Sequence, residues 1–346
     1  MLSFFIRQIS DWLIALSVVS LFIWFAFTQP VFFISSKHSL QPLVSQNNLE
    51  SHVNKLSQVY APRTISYNNL ANTARYIHKE FTQLGETSYQ PYWTLNGQFN
   101  NVVLQIGPKT DELFVIGAHY DAEDSSLDTE GNASGVATLM ELARQLAMHE
   151  DQLSIQVQLV AYPLSGSQSL RKFETGSYNH AEALYQSAKK VRMMISLDSV
   201  GRFNSENNSQ AHPFSFMKLF YPNKGDYISL MGRLQDYSQL RHVKQSFLSA
   251  SSLPLYSFNV PESFPKIASF DHHNYWNKGF PALLVTDTAE YRNINDEALE
   301  VVDRLDYKKM ALLVQGLYQV VMDSESIQQV QLVQHEADLS RGSKDL

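Results

Sequence analysis

Several residues that could do chemistry stand directly after predicted β-strands. They are His119, Asp121, Asp198 and Asp287. In an open α/β sheet the carboxyl ends of parallel strands meet at one edge, where ligands bind, so we expect these side chains to lie close together. One His with two or three carboxylates is a ligand set that a divalent ion such as zinc accepts. The same residue types also suit a metal-free arrangement, in which the His pairs with a carboxylate.

The elements that must position these residues alternate between strand and helix. Helical spacing of apolar residues covers 70–84, and two β-rich runs at 101–106 and 112–117 are separated by a Gly-Pro-Lys-Thr-Asp turn. Further strands are expected at 154–161, 191–197 and 282–286, and further helices at 133–149, 177–189, 227–240 and 306–323. This alternation predicts an α/β fold, a three-layer sandwich in which helices cover both faces of a mixed, mostly parallel sheet.

Charge and cysteine content exclude several classes of protein. The 346 residues include 27 Lys or Arg against 34 Asp or Glu, a formal net charge of -7, and no basic run. A nucleic-acid partner is not expected, because binding one would need clustered basic residues. Cysteine is absent, which excludes disulfides, thiol catalysis and cysteine-held metals. Any metal would have to be held by His and carboxylates.

An uncharged apolar run covers residues 12–34, between Asp11 and Lys37. It is long enough for a bilayer core of about 30 Å. It exceeds the usual apolar region of a signal peptide, and no small-x-small cleavage site follows it, so an uncleaved single-pass anchor is expected instead. Arg7 precedes the run, which favours a soluble domain on the non-cytoplasmic side of the membrane, periplasmic or extracellular.

The predicted anchor divides the chain into four segments. They are an N-terminal flank at 1–11, the transmembrane anchor at 12–34, a globular domain at 45–323 and a polar tail at 324–346. No linker rich in Pro, Gly or Ser interrupts the soluble part, which predicts a single domain there.

A resemblance to a known family begins at 117–144, where the chain reads GAHYDAEDSSLDTEGNASGVATLMELAR. This segment is similar to the motif G-A-H-Y-D-S-x-P-G-A-D-D-N-A-S-G of peptidase family M28, the co-catalytic zinc exopeptidases, which include leucyl aminopeptidases and glutaminyl cyclases. Later stretches, among them VRMMISLDSVGRF and FDHHNYWNKGFPALLVTDTAEYRN, resemble a bacterial membrane-anchored subgroup in the same order. The similarity runs from about residue 52 to 321 and implies a zinc-exopeptidase-like fold.

In active members of this family, two zinc ions share a bridging Asp. A His and an Asp complete the first site, an acidic residue and a distant His complete the second, and a Glu takes a proton from the attacking water. The resemblance places the first-site ligands at His119 and Asp198. It makes Asp121 the carboxylate that orients His119 from outside the ligand set.

The other functional positions carry different residue types. The bridging Asp falls on Gly131, the general-base Glu on Ser165 and the second-site acidic ligand on Gly166. The distant His falls on Asp296 or Glu297. The resemblance therefore implies that the catalytic set is not intact.

The surviving pair offers two ligands where a catalytic zinc usually has three from the protein, so zinc binding is expected to be weak or absent. A rearranged mononuclear site would have to recruit a nearby carboxylate as its third ligand. The candidates are Glu123, Asp128, Glu130, Asp296 and Glu297.

Four further residues are expected at the cleft. Asp271 and His272 resemble the family's S-D-H segment, with Phe270 in place of its Ser. Tyr291 and Arg292 are expected to line or support the same cleft.

Three functional hypotheses follow from these residues. The favoured hypothesis is a pseudopeptidase whose cleft binds peptide or protein amino termini, or docks a partner, without hydrolysis. The first alternative is residual metal-dependent exopeptidase activity at a rearranged mononuclear zinc site. The second is a structural role in envelope assembly. The sequence does not indicate an oligomeric state.

Overall fold

The computed structural model describes residues 2–31, 43–65, 68–122, 131–165, 172–212, 214–260, 262, 270–292 and 301–324. The helices within these ranges are α1 Leu2–Thr28, α2 Gln46–Asn54, α3 Asn69–Thr82, α4 Ala133–Ala147, α5 Gly176–Gln186, α6 Tyr237–Ala250, α7 Asp271–Trp276 and α8 Tyr307–Met322. The strands are β1 Glu86–Thr94, β2 Gly97–Ile106, β3 Glu112–His119, β4 Gln156–Tyr162, β5 Lys190–Leu197, β6 Ile228–Arg233, β7 Leu255–Val260 and β8 Ala282–Thr286.

All of these strands belong to one mixed sheet, in the order β1-β2-β4-β3-β5-β8-β6-β7. The four central strands, β4, β3, β5 and β8, are parallel to one another. Strand β2 is antiparallel to β4, β6 is antiparallel to β8, and β7 is parallel to β6. The central strands therefore end together at what we name the site edge, marked by His119 and Leu197. Strands β6 and β7 end at the opposite side, the base edge, marked by Arg233 and Val260.

Helices cover both faces of the sheet. Along β3, Phe114 and Ile116 face a core layer shared with α2, α3, α4, α6 and α8. Leu113 and Val115 face the opposite layer, shared with α5 and α7. All four side chains are fully buried, as expected for a central strand whose residues alternate between two covered faces. The predicted three-layer α/β sandwich is confirmed.

One secondary-structure prediction is wrong. Residues 227–240 were expected to form a helix, but Ile228–Arg233 is strand β6, and helix α6 begins only at Tyr237. A short apolar run is ambiguous between strand and helix by periodicity alone, so tertiary packing decides. A Cβ on Gly232 would lie 2.7 Å from Cδ2 of Leu283 on the neighbouring strand β8, so a side chain there would require Leu283 to shift.

The other predicted strands and helices are present, with bounds shifted by a few residues. Strands β1 and β7 and helices α2 and α7 were not predicted. Helix α1 contains the stretch Arg7–Thr28, which is long and apolar enough to cross a membrane. Its large apolar side chains are exposed, at 71% for Trp12 and 72% for Phe22. Positions 32–34 of the predicted anchor and 325–346 of the predicted tail lie outside the described residues.

Candidate functional site

Asn132 ties two strand ends together at the site edge. Its Nδ2 donates to the carbonyl oxygens of His119 at 3.2 Å and Leu197 at 2.9 Å. Its Oδ1 accepts from the backbone N–H of Ser199 at 2.9 Å. One buried amide thereby sets the spacing between the end of β3 and the end of β5, which carry His119 and Asp198. Asn132 also begins helix α4, directly after Gly131.

The turns that leave the site edge have an unusual backbone. Asn132, Leu164, Ser199 and Thr288 have φ of 57°, 63°, 51° and 61°. Left-handed backbone is uncommon for residues other than glycine and costs free energy, so it persists where the surrounding fold imposes it. The turns after β4, β5 and β8 and the start of α4 all share this feature, which fixes the directions of the side chains beside them.

The imidazole of His119 lies between two carboxylates. Its Nδ1 is 3.2 Å from Oδ1 of Asp121, and its Nε2 is 3.5 Å from Oδ2 of Asp198. Burial acts to lower the pKa of His119, but Asp198 and Asp121 outweigh it and raise that pKa well above its usual range. Burial acts to raise the pKa of Asp121, but His119 and the Ser165 amide outweigh it and lower that pKa. The arrangement is that of a charged His paired on both sides.

Ser165 connects this group to a further carboxylate. Its backbone N–H donates to both carboxylate oxygens of Asp121 at 3.1 Å, and its Oγ donates to Oδ1 of Asp271 at 2.6 Å. Asp271 is 2% exposed, and its Oδ2 has no hydrogen-bond partner in the described part of the chain. Burial raises the pKa of Asp271 to about 6, against the opposing effects of His119 and Ser165.

Gly131 has no room for a side chain. Its φ is +38°, and a Cβ built on it would lie 2.2 Å from Cβ of Ala122 and 2.9 Å from Nη2 of Arg63. Arg63 is 1% exposed and holds this region together: its Nη2 donates to the Gly131 carbonyl at 2.7 Å and its Nε donates to the Tyr120 carbonyl at 2.8 Å. The space into which a side chain at 131 would project is therefore filled by a methyl group and a guanidinium.

Asp287 and Arg292 are buried beneath the site edge, where they form hydrogen bonds to the segments that follow β5 and β8. Asp287 is fully buried and accepts the backbone N–H groups of Arg202 at 2.6 Å and Ala289 at 2.8 Å. Arg292 is 8% exposed and donates from Nε to Gln210 at 2.9 Å and from a terminal nitrogen to the Arg202 carbonyl. Its guanidinium therefore braces the segment that follows β5. Tyr291 is half-buried beside it.

The expectation that His272 lines the cleft is wrong. Its side chain is fully buried, and its ring makes an edge contact with Trp276 at a centroid distance of 4.4 Å. Burial, followed by the neighbouring His273, lowers the pKa of His272 to about 3, so the ring is neutral. The first turn of α7 thus places Asp271 toward Ser165 and His272 into the core.

The described residues at the site edge do not form a set of ligands that fits zinc. Among the described residues, no group of three or more His, Asp or Glu side chains is arranged to hold a metal ion. His119 and Asp198 are one pair, and Ser165 and Gly131 supply no carboxylate. Gly166 and the carboxylates considered for recruitment, Glu123, Asp128, Glu130, Asp296 and Glu297, lie outside the described residues. Their part in a metal site stays a prediction.

Three functional contacts were not predicted from the sequence. The bonds of Asn132 to two strand ends had a signal, since this residue stands in the Asn-Ala-Ser-Gly segment of the motif. The contact of Arg63 with Gly131 and that of Ser165 with Asp271 had none. They join residues 68 and 106 positions apart, which no local pattern links.

Comparison with known proteins bears on both sequence and fold. The sequence matches peptidase family M28 over residues 101–321. It is 38% identical over 292 residues to YfbL, an uncharacterized protein of Escherichia coli K12, covering 81% of this chain and 89% of that protein.

Two solved structures share the fold. The LapA aminopeptidase of Legionella pneumophila has a TM-score of 0.61 at 14% identity, over 85% of this chain and 77% of that one. A Zn-dependent exopeptidase from Parabacteroides distasonis has a TM-score of 0.58 at 12% identity, over 82% of this chain and 99% of that one. The sequence relationships decide the classification: this chain belongs to peptidase family M28.

Proposed function

We propose that this chain is a membrane-anchored pseudopeptidase, which uses the M28 cleft to bind the free amino terminus of a peptide or protein and does not hydrolyse it. The observation that carries the proposal is the contact of Ser165 with Asp271. The family resemblance assigns the general base of active members to position 165. A serine hydroxyl that donates to a carboxylate does not accept a proton from water near neutral pH.

The loss of metal ligands supports the same conclusion. An activated water in this family requires bound zinc, and His119 with Asp198 offers two ligands where three are usual. Ala122 and Arg63 fill the space beside Gly131, so the bridging carboxylate cannot be regained by moving one side chain. The proposal therefore includes weak zinc binding or none, and it includes no zinc-dependent hydrolysis.

The remaining carboxylates suit an ammonium group. Asp271 is buried with one oxygen lacking a hydrogen-bond partner among the described residues, and Asp198 keeps 17% of its side chain exposed. Both are close enough to His119 to interact with its charge. A ligand cation that reached them would satisfy an orphaned oxygen and form a charge-assisted hydrogen bond. The similar fold of LapA, which is named an aminopeptidase, is consistent with a cleft that receives amino termini.

Anchoring rests on helix α1. The stretch Arg7–Thr28 is apolar and long enough to cross a bilayer, and its large apolar side chains from Trp12 to Phe22 are exposed. The weak charge bias around it favours a domain on the non-cytoplasmic side.

Calorimetric titration of the full chain in detergent with short peptides tests the binding. We expect peptides with free amino termini to bind, and N-acetylated copies to bind at least about tenfold more weakly, a loss of about 1.4 kcal/mol. Asp271→Asn should weaken binding of the free peptide toward that of the acetylated one. Asp303→Asn, at an exposed position, is the matched control and should leave affinity unchanged.

Zinc content and turnover test the absence of hydrolysis. After dialysis against zinc, the protein should retain less than about a tenth of an equivalent and leave aminoacyl-arylamides intact. Stoichiometric zinc, with turnover that His119→Ala abolishes, would establish the residual metallohydrolase instead. If free and acetylated peptides bound equally well, or if neither bound, the proposed recognition of amino termini would be wrong. The structural role in envelope assembly would then remain.

A further inference from the structure

The last turn of helix α1 is bound to the free edge of the sheet. Strand β7 is the end strand, and its Asn259 donates from Nδ2 to the Ala26 carbonyl at 3.3 Å. Ser257 donates from Oγ to the Thr28 carbonyl. The ring of Phe27 stacks on that of Phe258 with centroids 5.9 Å apart. The end of the helix thus contacts three successive residues of β7.

Lys244 of helix α6 caps this turn. Its Nζ donates to the carbonyls of Thr28 at 3.0 Å and Gln29 at 3.3 Å and to Ser257 Oγ at 3.0 Å. The last carbonyls of a helix lack intrahelical partners and carry a partial negative charge, so a buried ammonium both satisfies and stabilises them. Lys244 is 7% exposed. These bonds set the direction of α1 relative to the sheet.

That direction points toward the base edge. Thr28 lies beside Ser257, whereas Ala26 lies beside Asn259, which is nearer the end of β7. One turn of α6 closer to the base edge than Lys244, the guanidinium of Arg241 lies over the ring of Phe25 at 5.7 Å. Traced back from Thr28, the helix therefore descends along β7 and leaves the domain at the base edge.

The length of the apolar helix brings the base edge to the bilayer. Its uncharged part within the described residues runs from Trp12 to Thr28, about 25 Å at 1.5 Å per residue. A hydrocarbon core is about 30 Å thick. The uncharged helix is therefore no longer than the hydrocarbon core, and its last turn is bound to β7 and Lys244. No part of the helix is left to act as a spacer between the domain and the membrane.

Where helix α1 leaves the base edge, the domain exposes side chains of types that bind at the level of lipid headgroups. Leu234, on the turn after β6, is 44% exposed, and Tyr237, the first residue of α6, is 47% exposed. Arg241 follows one turn later with an exposed side chain. Tyrosine is enriched at the level of lipid headgroups, and arginine can lay its stem on apolar surface while its charge stays at the phosphates.

We propose that Leu234, Tyr237 and Arg241 lie in the lipid headgroup layer and that the site edge opens away from the membrane. Strand β3 has eight residues, so His119 would stand roughly 25 Å above the base edge. The bound peptide would then approach from the aqueous side. This inference rests on the membrane anchor of the proposed function.

The absence of cysteine makes a labelling experiment direct. Single variants Leu16→Cys, Leu234→Cys, Tyr237→Cys and Asn96→Cys, each in the full chain, carry a nitrobenzoxadiazole probe in phosphatidylcholine vesicles. Leu16 is 64% exposed on α1, and Asn96 is exposed on the β1–β2 turn at the site edge. Lipids brominated near the upper end of the acyl chain should quench probes at 16, 234 and 237 by about twofold and leave the probe at 96 unquenched.

Each other outcome has a defined meaning. Quenching at 16 without quenching at 234 or 237 would overturn the proposed surface while leaving the anchor standing. Quenching at 96 would overturn the orientation. A probe at 16 that stays unquenched would show that α1 does not enter the bilayer, and the anchor would fail together with this inference.

Discussion

Ser165 donates a hydrogen bond from Oγ to Oδ1 of Asp271 at 2.6 Å. The same residue donates its backbone N–H to both oxygens of Asp121. Ser165 therefore acts as a donor to two carboxylates, at the position where the family resemblance implies a proton-accepting Glu in active members.

An acidic residue at position 165 should therefore destabilise the folded protein. Ser165→Glu would bring a third carboxylate beside Asp121 and Asp271 and remove the hydroxyl donor, at a cost of about 3 kcal/mol or more for an unpaired buried charge at pH 7. In Ser165→Gln the new side chain has nearly the shape of Glu but no charge, so this variant should lose less stability. Urea unfolding at pH 7 and pH 5 measures both. The two variants should converge at pH 5, and equal stability at pH 7 would contradict the prediction.

Asp271→Asn should change the pH dependence of stability. The pKa of Asp271 is raised by burial from 3.8 to about 6, so the folded state favours the protonated acid. The stabilising contribution is full below about pH 4 and is lost as pH rises through 6, an upper limit of about 3 kcal/mol at about 1.4 kcal/mol per pKa unit. The Asn variant lacks this loss and should be the more stable protein at pH 7. The free energy of unfolding is measured between pH 4 and 7 for wild type, Asp271→Asn and the control Asp303→Asn. Parallel curves for Asp271→Asn and wild type would show that Asp271 does not have the raised pKa.

Substitution of Gly131 should be costly for steric reasons. Gly131→Ala combines positive φ, about 1 kcal/mol, with overpacking against Ala122, about 1–3 kcal/mol. Gly279→Ala separates the two effects, because Gly279 has φ +78° and no heavy atom within 4 Å of its Cβ position. Thermal unfolding should show the larger loss at 131. Gly131→Asp should also fail to bring zinc uptake, which equilibrium dialysis measures, and uptake by this single variant would contradict the picture of a filled site.

Lys244→Met should loosen the end of helix α1. Burial lowers the pKa of Lys244 to about 8, so its ammonium is still protonated at pH 7, where it donates to the carbonyls of Thr28 and Gln29. Leaving these buried carbonyls unpaired should cost about 1–3 kcal/mol. Unfolding of the full chain in detergent measures the loss. Lys308→Met, at an exposed position, is the control, and an equal effect of the two substitutions would show that the cap does not stabilise the fold.

Much of the site could be anticipated from residue types. The alternation of strand and helix predicted that His119 and Asp198 meet at one edge of a sheet, and the structure brings them to 3.5 Å. A glycine at 131 and a serine at 165 cannot supply a carboxylate in any conformation. The absence of a carboxylate at these two positions follows from residue identity alone, so no structure is needed to infer it.

The sequence by itself determined most of the element types, the family resemblance and the absence of a carboxylate at positions 131 and 165, because each depends on local patterns or on side-chain identity. Only the tertiary structure decided which contacts form. Arg63 and Ala122 fill the space beside Gly131, Ser165 donates to Asp271, and Lys244 caps the last turn of helix α1. These contacts join residues far apart in the chain, and packing of whole elements, with its gain of buried hydrogen bonds, determines which of them meet.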